Sequence, residues 1–425
     1  MLYDYLRKLR RRSKFLYHHL ARQTCLPTAR TEDIWYVVLC EHNARCLRRL
    51  SMIFVANRDQ HIPHLPAVFR GLSLLDRYLF VWILLAMVIG ILLGYFVPSI
   101  QAAFETAQFD SVSLPIAIGL LWMMYPIMCK VQYEMLSRIL TSRQIWIQLA
   151  FSLFVNWIVG PLIMTALAWA ALPDLPTYRT GVILVGLARC IAMVLIWNHL
   201  AGGDENYCAI LVAVNSVLQI ILYSLFAKFY LDIVPGWFGA PATATIAISI
   251  WTVARSVLIF LGIPLAAAVI TRFSLRAAMG HEWYTTVFLP YFGPTSLLGL
   301  LFTVLVMFAM QGHHVIDNIG QVFRVAVPLL VYFAIMFSFT LIACRQMRFT
   351  YEKAVVQAFT AASNNFELAI AVAVGIYGIK SDQALAAVVG PLIEVPVLLG
   401  LVYVTLWLRK RLSWGAKNTN VDEEQ

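Results

Sequence analysis

From Asp76 to Leu408 the chain is a succession of apolar runs, each near the ~20 residues a helix needs to cross a bilayer. No other feature constrains the fold as much. The runs lie near 78–98, 112–130, 145–170, 180–200, 206–230, 245–271, 284–310, 324–344, 354–378 and 384–408. In lipid every backbone polar group must find its partner inside the protein, so runs of this length are read as helices. Composition agrees. The 425 residues are 61% hydrophobic and 13% charged, with a mean hydropathy of +0.76, whereas soluble domains are about 45–50% apolar and about 25% charged. The expected class is an all-α polytopic membrane protein with ten transmembrane helices.

Charge is placed unevenly. The net charge is +10, and residues 1–70 hold 13 Lys and Arg against 5 Asp and Glu. Those residues read as a basic, poorly ordered N-terminal extension, or as sequence upstream of a true start such as Met52. Residues 71–412 read as the transmembrane domain and 413–425 as a cytoplasmic tail. Among the short loops, Lys130, Arg138 and Arg143 follow the second run, and Arg272 and Arg276 the sixth. Arg345, Arg348 and Lys353 follow the eighth, with Arg409, Lys410, Arg411 and Lys417 after the tenth. Alternate loops hold none or one, which places both termini in the cytoplasm. Seven scattered cysteines form no disulfide framework, and Cys40, His42 and Cys46 lack the paired spacing of a zinc site. No P-loop and no HExxH pattern occurs, and no metal, cofactor or nucleic-acid partner is expected.

Two runs are unusual for polarity at their centres. Gly181–Gln219 carries Arg189 and Cys190, breaks at Ala201-Gly202-Gly203-Asp204, and resumes with Asn215 and Gln219. Thr360–Leu398 repeats the design with Asn364, Asn365, Glu367 and Glu394. Registering Gly203-Asp204 on Ser381-Asp382 places Arg189 opposite Glu367. Paired polar-centred helices in corresponding halves point to a transporter's binding site. With five helices per half, the halves become inverted five-helix repeats whose fourth and ninth helices break near the midplane.

The chemistry of these residues suggests their roles. Cys190 supplies a soft sulfur for a thiophilic solute, or serves only as a small residue at a helix contact. Asn215, Asn364 and Asn365 suit a neutral hydroxylated solute, or act as interhelical hydrogen bonds. Glu367 and Glu394 are candidates for carrying a proton across the cycle. For Glu367 the alternative is a structural pair with Arg189, its electrostatic partner. Trp82, Trp122 and Trp157 read as packing or interface anchors.

At these residues the sequence resembles the arsenite permeases of the arsenical-resistance-3 type, within the superfamily that includes bile-acid/sodium symporters. The phrases that carry the likeness include MMYP (123–126), NWIVGP (156–161), GLARCIAMVLIWNHLAGGD (186–204), NNFELAIAVAVGIYG (364–378) and GPLIEVPVLLGLVYV (390–404). The resemblance covers about residues 71–412. It implies secondary active efflux of arsenite, with antimonite a further substrate in some members, across the cell membrane in exchange for protons. It also implies Cys190 as the essential fourth-helix cysteine, and Glu367 and Glu394 as the motif glutamates of the ninth and tenth helices. Ile127 stands where the family phrase continues with proline, and the basic N-terminus is no family feature. The rival expectation is a sodium-coupled organic anion symporter of the bile-acid kind. A receptor would need a soluble signalling domain, and none is evident.

Overall fold

The structure, a computed structural model, describes residues 78–97, 108–109, 112–135, 143–191, 193–237 and 249–415. The N-terminal extension, with Cys40, His42 and Cys46, and the tail from 416 lie outside the described residues. Apart from one hairpin pairing Gln108–Phe109 with Val112–Ser113, the described residues are helical. Six helical spans are long and apolar enough to cross a membrane: Ile145–Ala171, Glu205–Trp237, Ile250–Met279, His281–Gly312, Ile319–Gln346 and Asp382–Arg411. Val81–Phe96, Leu114–Lys130 and Phe366–Tyr377 are shorter apolar helices.

In chain order the principal helices are α1 (Leu79–Phe96), α2 (Leu114–Lys130), α3 (Arg143–Phe154) and α4 (Gly160–Ala171). Then come α5 (Pro176–Leu187), α6 (Met193–Ala201), α7 (Glu205–Lys228), α8 (Ile250–Val257) and α9 (Ile263–Met279). The last are α10 (Thr295–Asp317), α11 (Ile319–Gln346), α12 (Tyr351–Ala362), α13 (Phe366–Tyr377) and α14 (Asp382–Arg411). The run expected at 180–200 is two helices, α5 and α6, and that at 354–378 is also two, α12 and α13. The run expected at 284–310 is likewise interrupted, at Gly293-Pro294, before α10 begins.

Prolines explain several departures from regular helix. A proline ring clashes with the carbonyl four residues back and cannot donate to it. Wider helical turns at Val155–Val159, Leu258–Gly262 and Tyr284–Phe288 precede Pro161, Pro264 and Pro290 and absorb that misfit. The helix therefore runs on from α3 to α4, and from α8 to α9. Pro126, Pro328 and Pro391 sit inside α2, α11 and α14 without such a turn.

Most of the helices sort into two groups, and α8, which packs on α7 and α13 and runs on into α9, links them. One comprises α1, α2, α9 and α10: α1 and α2 both pack on α10, and α9 packs on α2. The other comprises α4 to α7 and α11 to α14, where α5 packs on α14 and α4, and α11 on α12, α14 and α4. Within the first group, α1 meets α10 closely because Gly90 and Gly94 carry no side chain. A Cβ at Gly94 would run into the backbone of Ala309, and one at Gly312 would press less severely on the backbone of Ile91 and Gly94. Small residues one turn apart let helices approach where lipid supplies no hydrophobic drive. Outward faces are strongly apolar, with Leu92, Ile118, Leu162, Ile270 and Phe323 all exposed. Water would not tolerate such continuous apolar surface on a monomer, but hydrocarbon does.

A charged knot closes one end of the first group. Glu134, in the turn Tyr133–Met135 after α2, receives Arg272 Nη2 at 2.6 Å and Arg276 Nη1, both from α9. Arg272 also donates to the Cys129 carbonyl, as does the Tyr284 hydroxyl. Burial alone would raise the Glu134 pKa, but the two guanidiniums hold it down at about 2. In the second group, Arg324 of α11 grips Asp174 with both terminal guanidinium nitrogens, at 2.8 and 2.5 Å.

Candidate functional site

The two interruptions meet. Between α5 and α6 the chain leaves helical geometry at Ala188, and between α12 and α13 at Ser363. Arg189 and Asn364 face each other as an antiparallel backbone pair, and the Asn365 amide donates to the Ala188 carbonyl at 3.1 Å. Unwound backbone buried in a membrane protein must find internal partners, and here each strand-like break satisfies the other. The crossing therefore pairs Arg189 with Asn364. Arg189 and Glu367 are corresponding positions when the halves are aligned on Gly203-Asp204 and Ser381-Asp382, whereas in space the backbone partner of Arg189 is Asn364. The Arg189 amide also donates to Gln219 Oε1 of α7 at 3.0 Å.

The Arg189 guanidinium is fully buried. Nη1 donates to the Tyr332 hydroxyl at 3.1 Å and Nη2 to the Gly186 carbonyl. Tyr332, from α11, donates in turn to the Ala361 carbonyl at 3.3 Å, so it ties the cation to the end of α12. Among the described residues no ion pair joins Arg189 to Glu367. Tyr332 is the residue that sequence reading missed. Its signal was a tyrosine at the centre of an apolar run, far from any interface position.

Both second half-helices start at the crossing. Cys190 is 2% exposed, and its Sγ accepts from the Val194 amide at 3.4 Å, at the start of α6. Asn365 caps α13, its Oδ1 accepting from the Leu368 amide at 3.1 Å. The first turn of a helix presents unpaired amides and the positive end of its dipole. Glu367 lies in the first turn of α13 and Glu394 in α14, which packs on it. Glu394 lies within coulombic reach of Glu367 and faces the Asn364 backbone amide.

Many polar atoms here are buried without a protein partner. They include both amide atoms of Asn364, Asn365 Nδ2, Asn215 Nδ2, Gln219 Nε2, Arg189 Nε and Glu394 Oε1. Orphaned buried polar atoms each cost about 1–3 kcal/mol, so a concentration of them marks a place for a polar solute. Asn215 is steadied through its Oδ1, which accepts from Trp157 Nε1 at 3.2 Å. Trp157 is buried and packs edge-on against Phe226, which makes it a packing residue rather than an interface anchor, and its indole N–H also holds Asn215. Cys129, Cys208 and Cys344 are buried and free. Among the described residues no three His, Cys, Asp or Glu come together as a metal cluster.

Two interrupted helices that cross inside a helical bundle, with unwound backbone and half-helix starts at the crossing, are the arrangement found at the binding sites of membrane transporters. Comparison with known proteins agrees with that class. The sequence pattern of the sodium bile acid symporter family matches residues 117–318. The chain is similar to the arsenical-resistance protein Acr3 of Corynebacterium glutamicum, 47% identical over 341 residues, which span 80% of this chain and 91% of that one. It is 35% identical over 353 residues to an uncharacterized transporter of Synechocystis, spanning 78% and 88% of the two chains. The Acr3 protein of Alkaliphilus metalliredigens is 29% identical over 346 residues, 79% and 93% of the two chains. The chain belongs to the Acr3 family of arsenical-resistance membrane transporters.

Proposed function

We propose that this protein exports trivalent arsenic as the neutral trihydroxide, with antimonite as a second substrate, across the cell membrane in exchange for protons. The observation that carries the reading is the crossing itself, where one soft sulfur, several unpartnered amides and two carboxylates share a buried site. In the cytoplasm-facing state the Cys190 thiol attacks arsenic. An S–As bond forms, an As–O bond breaks, and the thiol proton leaves with the hydroxyl as water. Asn215, Asn364 and Asn365 hydrogen-bond the two remaining hydroxyls. The group of helices that carries the crossing then rocks against α1, α2, α9 and α10. Outside, water reverses the S–As bond and restores both thiol and trihydroxide. A proton taken up at Glu367 or Glu394 accompanies the return and is released to the cytoplasm. Arg189, held by Tyr332 and Gln219, positions the backbone of the crossing.

The architecture that suits this cycle counts α5–α6 and α12–α13 as the fourth and ninth of ten spans, in two inverted five-helix repeats. Supporting it, α5 and α12 are each 12 residues long. Asp204 and Ser381 cap the fifth and tenth spans in corresponding places. Residues 71–412 would then be the transporter domain, flanked by the basic extension 1–70 and the tail 413–425, with both termini cytoplasmic.

The test is arsenite uptake into everted membrane vesicles, with and without an imposed proton gradient. Wild type should accumulate arsenite only with the gradient, and Cys190→Ala and Glu367→Gln should fall to the level of vesicles lacking the protein. Full efflux by Cys190→Ser would remove the ligand role. The match of residues 117–318 to sodium bile acid symporters favours one second reading, sodium-coupled organic anion transport. Uptake driven by sodium and indifferent to arsenite would establish it instead.

A further inference from the structure

The two helix groups meet differently at the two ends of the bundle. Arg189 and Asn364 pair antiparallel, so α6 and α13 leave the crossing in opposite directions. Their neighbours agree: the Tyr351 hydroxyl at the start of α12 donates to the Ala201 carbonyl that ends α6, at 2.8 Å. Thr177 at the start of α5 donates to Asp382, just beyond α13, at 2.6 Å. At the α6 end a cleft of about 190 Å³ separates the groups, with Lys130 and Val131 on one wall and Leu195, His199 and Glu205 on the other. At the α13 end the groups are joined instead. Gln311 of α10 donates from Nε2 to the Ile379 carbonyl, in the turn between α13 and α14. Local sequence builds this join. Gly378 ends α13 at φ +84°, a left-handed conformation that costs glycine no Cβ clash. Ser381 Oγ donates to the Gly378 carbonyl at 2.7 Å and accepts from the Ala384 amide at 3.2 Å. The turn is thus fixed within its own group and offers the Ile379 carbonyl to the other. Gln311 follows the apolar run LFTVLVMFAM (301–310) and is 3% exposed. A buried amide without an acceptor is costly, so parting the groups here breaks a bond that only entering water can replace.

We propose that Gln311 is a positioning residue for the transport cycle: its bond to Ile379 latches the α13 end shut while the α6 end stands open. The proposal deepens the transport reading and rests on it for the rocking step. Rocking that exposes the crossing at the α13 end has to part α10 from the α13–α14 turn, and so has to break this bond. One hydrogen bond exchanged for water shifts a two-state equilibrium by about two- to ten-fold. The latch therefore favours the state open at the α6 end without locking it, as a carrier that must turn over requires. With the α6 end cytoplasmic, as in the transport reading, the latched carrier is the one that receives arsenite from inside. Gln311 touches neither Cys190 nor the carboxylates of the crossing, and acts only through the position of the turn.

The experiment is the rate at which a membrane-impermeant maleimide labels Cys190 from each face, in right-side-out and in everted vesicles. Cys190 lies at the crossing and is 2% exposed, so it reacts when one end opens to it. Wild type is compared with Gln311→Met, which keeps the side chain's length and loses the donor, and with Gln311→Ala, which removes it. Each is also made with Cys190→Ala, to subtract labelling of the other cysteines. In right-side-out vesicles, which present the α13 end, both Gln311 variants should label about two- to ten-fold faster than wild type. In everted vesicles they should label no faster. Gln346→Met, at an exposed position of α11, should match wild type on both faces. Right-side-out labelling unchanged in both Gln311 variants overturns the latch. Acceleration from both faces alike also overturns it, because that is general loosening. Proton-driven arsenite uptake is measured in the same everted vesicles. If wild type takes up none, the transport reading has failed, and the labelling still decides whether Gln311 governs opening. If wild type takes up arsenite and the labelling does not change, only the latch has failed.

Discussion

A buried guanidinium beside unwound backbone is the most demanding residue in this protein. A cation in hydrocarbon costs at least about 2.5–3.5 kcal/mol on insertion scales unless it is enclosed. Arg189 is enclosed by a tyrosine hydroxyl and a carbonyl, with no carboxylate as counter-ion among the described residues. Hydrogen bonds to a charged group contribute about 1.5–3 kcal/mol. Tyr332→Phe should therefore destabilise the folded protein by roughly that amount, read as a lowered melting temperature in detergent. Because Tyr332 also holds the Ala361 carbonyl, transport should fall with stability. Unchanged melting would mean that the pair contributes nothing. The sequence made Arg189, Cys190, Asn364, Asn365, Glu367 and Glu394 legible as a group, since polar side chains stand out in apolar runs. It could not say who touches whom, because partners such as Tyr332 and Trp157 come from other helices and look ordinary in their own runs.

Among the elements, the interrupted pairs α5–α6 and α12–α13 carry the candidate site, and α1 packs on α10 in the other helix group. Interruption was legible at Ala361-Ala362-Ser363-Asn364-Asn365, where small and polar residues weaken helix. The exact pairing was not, because an antiparallel contact between two breaks depends on how four half-helices pack. The contact of α1 with α10 depends on the absence of a side chain at Gly94. Gly94→Leu should force these helices apart and cost more than the ~1–3 kcal/mol of ordinary overpacking, since the obstacle is backbone. The readout is the yield and melting temperature of purified protein, with Gly236→Leu, which meets nothing within 4 Å, as the tolerant control.

For the whole molecule, two helix groups with separate polar ties fit a carrier whose parts move as bodies. The Glu134 knot joins α2 to α9 within one group, and Asp174–Arg324 joins the α4–α5 turn to α11 within the other. Glu134 has a folded pKa of about 2, below its ordinary 4.5. A depressed carboxylate contributes stability that is present above its unfolded pKa and lost as pH falls through the folded one. The contribution should be complete at neutral pH and disappear between about pH 4.5 and pH 2. Glu134→Gln should melt at a lower temperature than wild type at pH 7, with the difference shrinking across that acid window. A difference independent of pH would show that the carboxylate's charge is not what matters.

By itself the sequence determined that this chain lives in a membrane, that its apolar runs are of spanning length, and which polar residues stand out within them. Each of those follows from local rules, since hydrocarbon thickness sets run length and desolvation penalises every buried polar group. Only the tertiary structure decided that the two breaks satisfy one another and that Arg189 meets Asn364 and Tyr332. Those are contacts between residues up to about 175 positions apart. They are set by the packing of several helices at once, which no single run encodes.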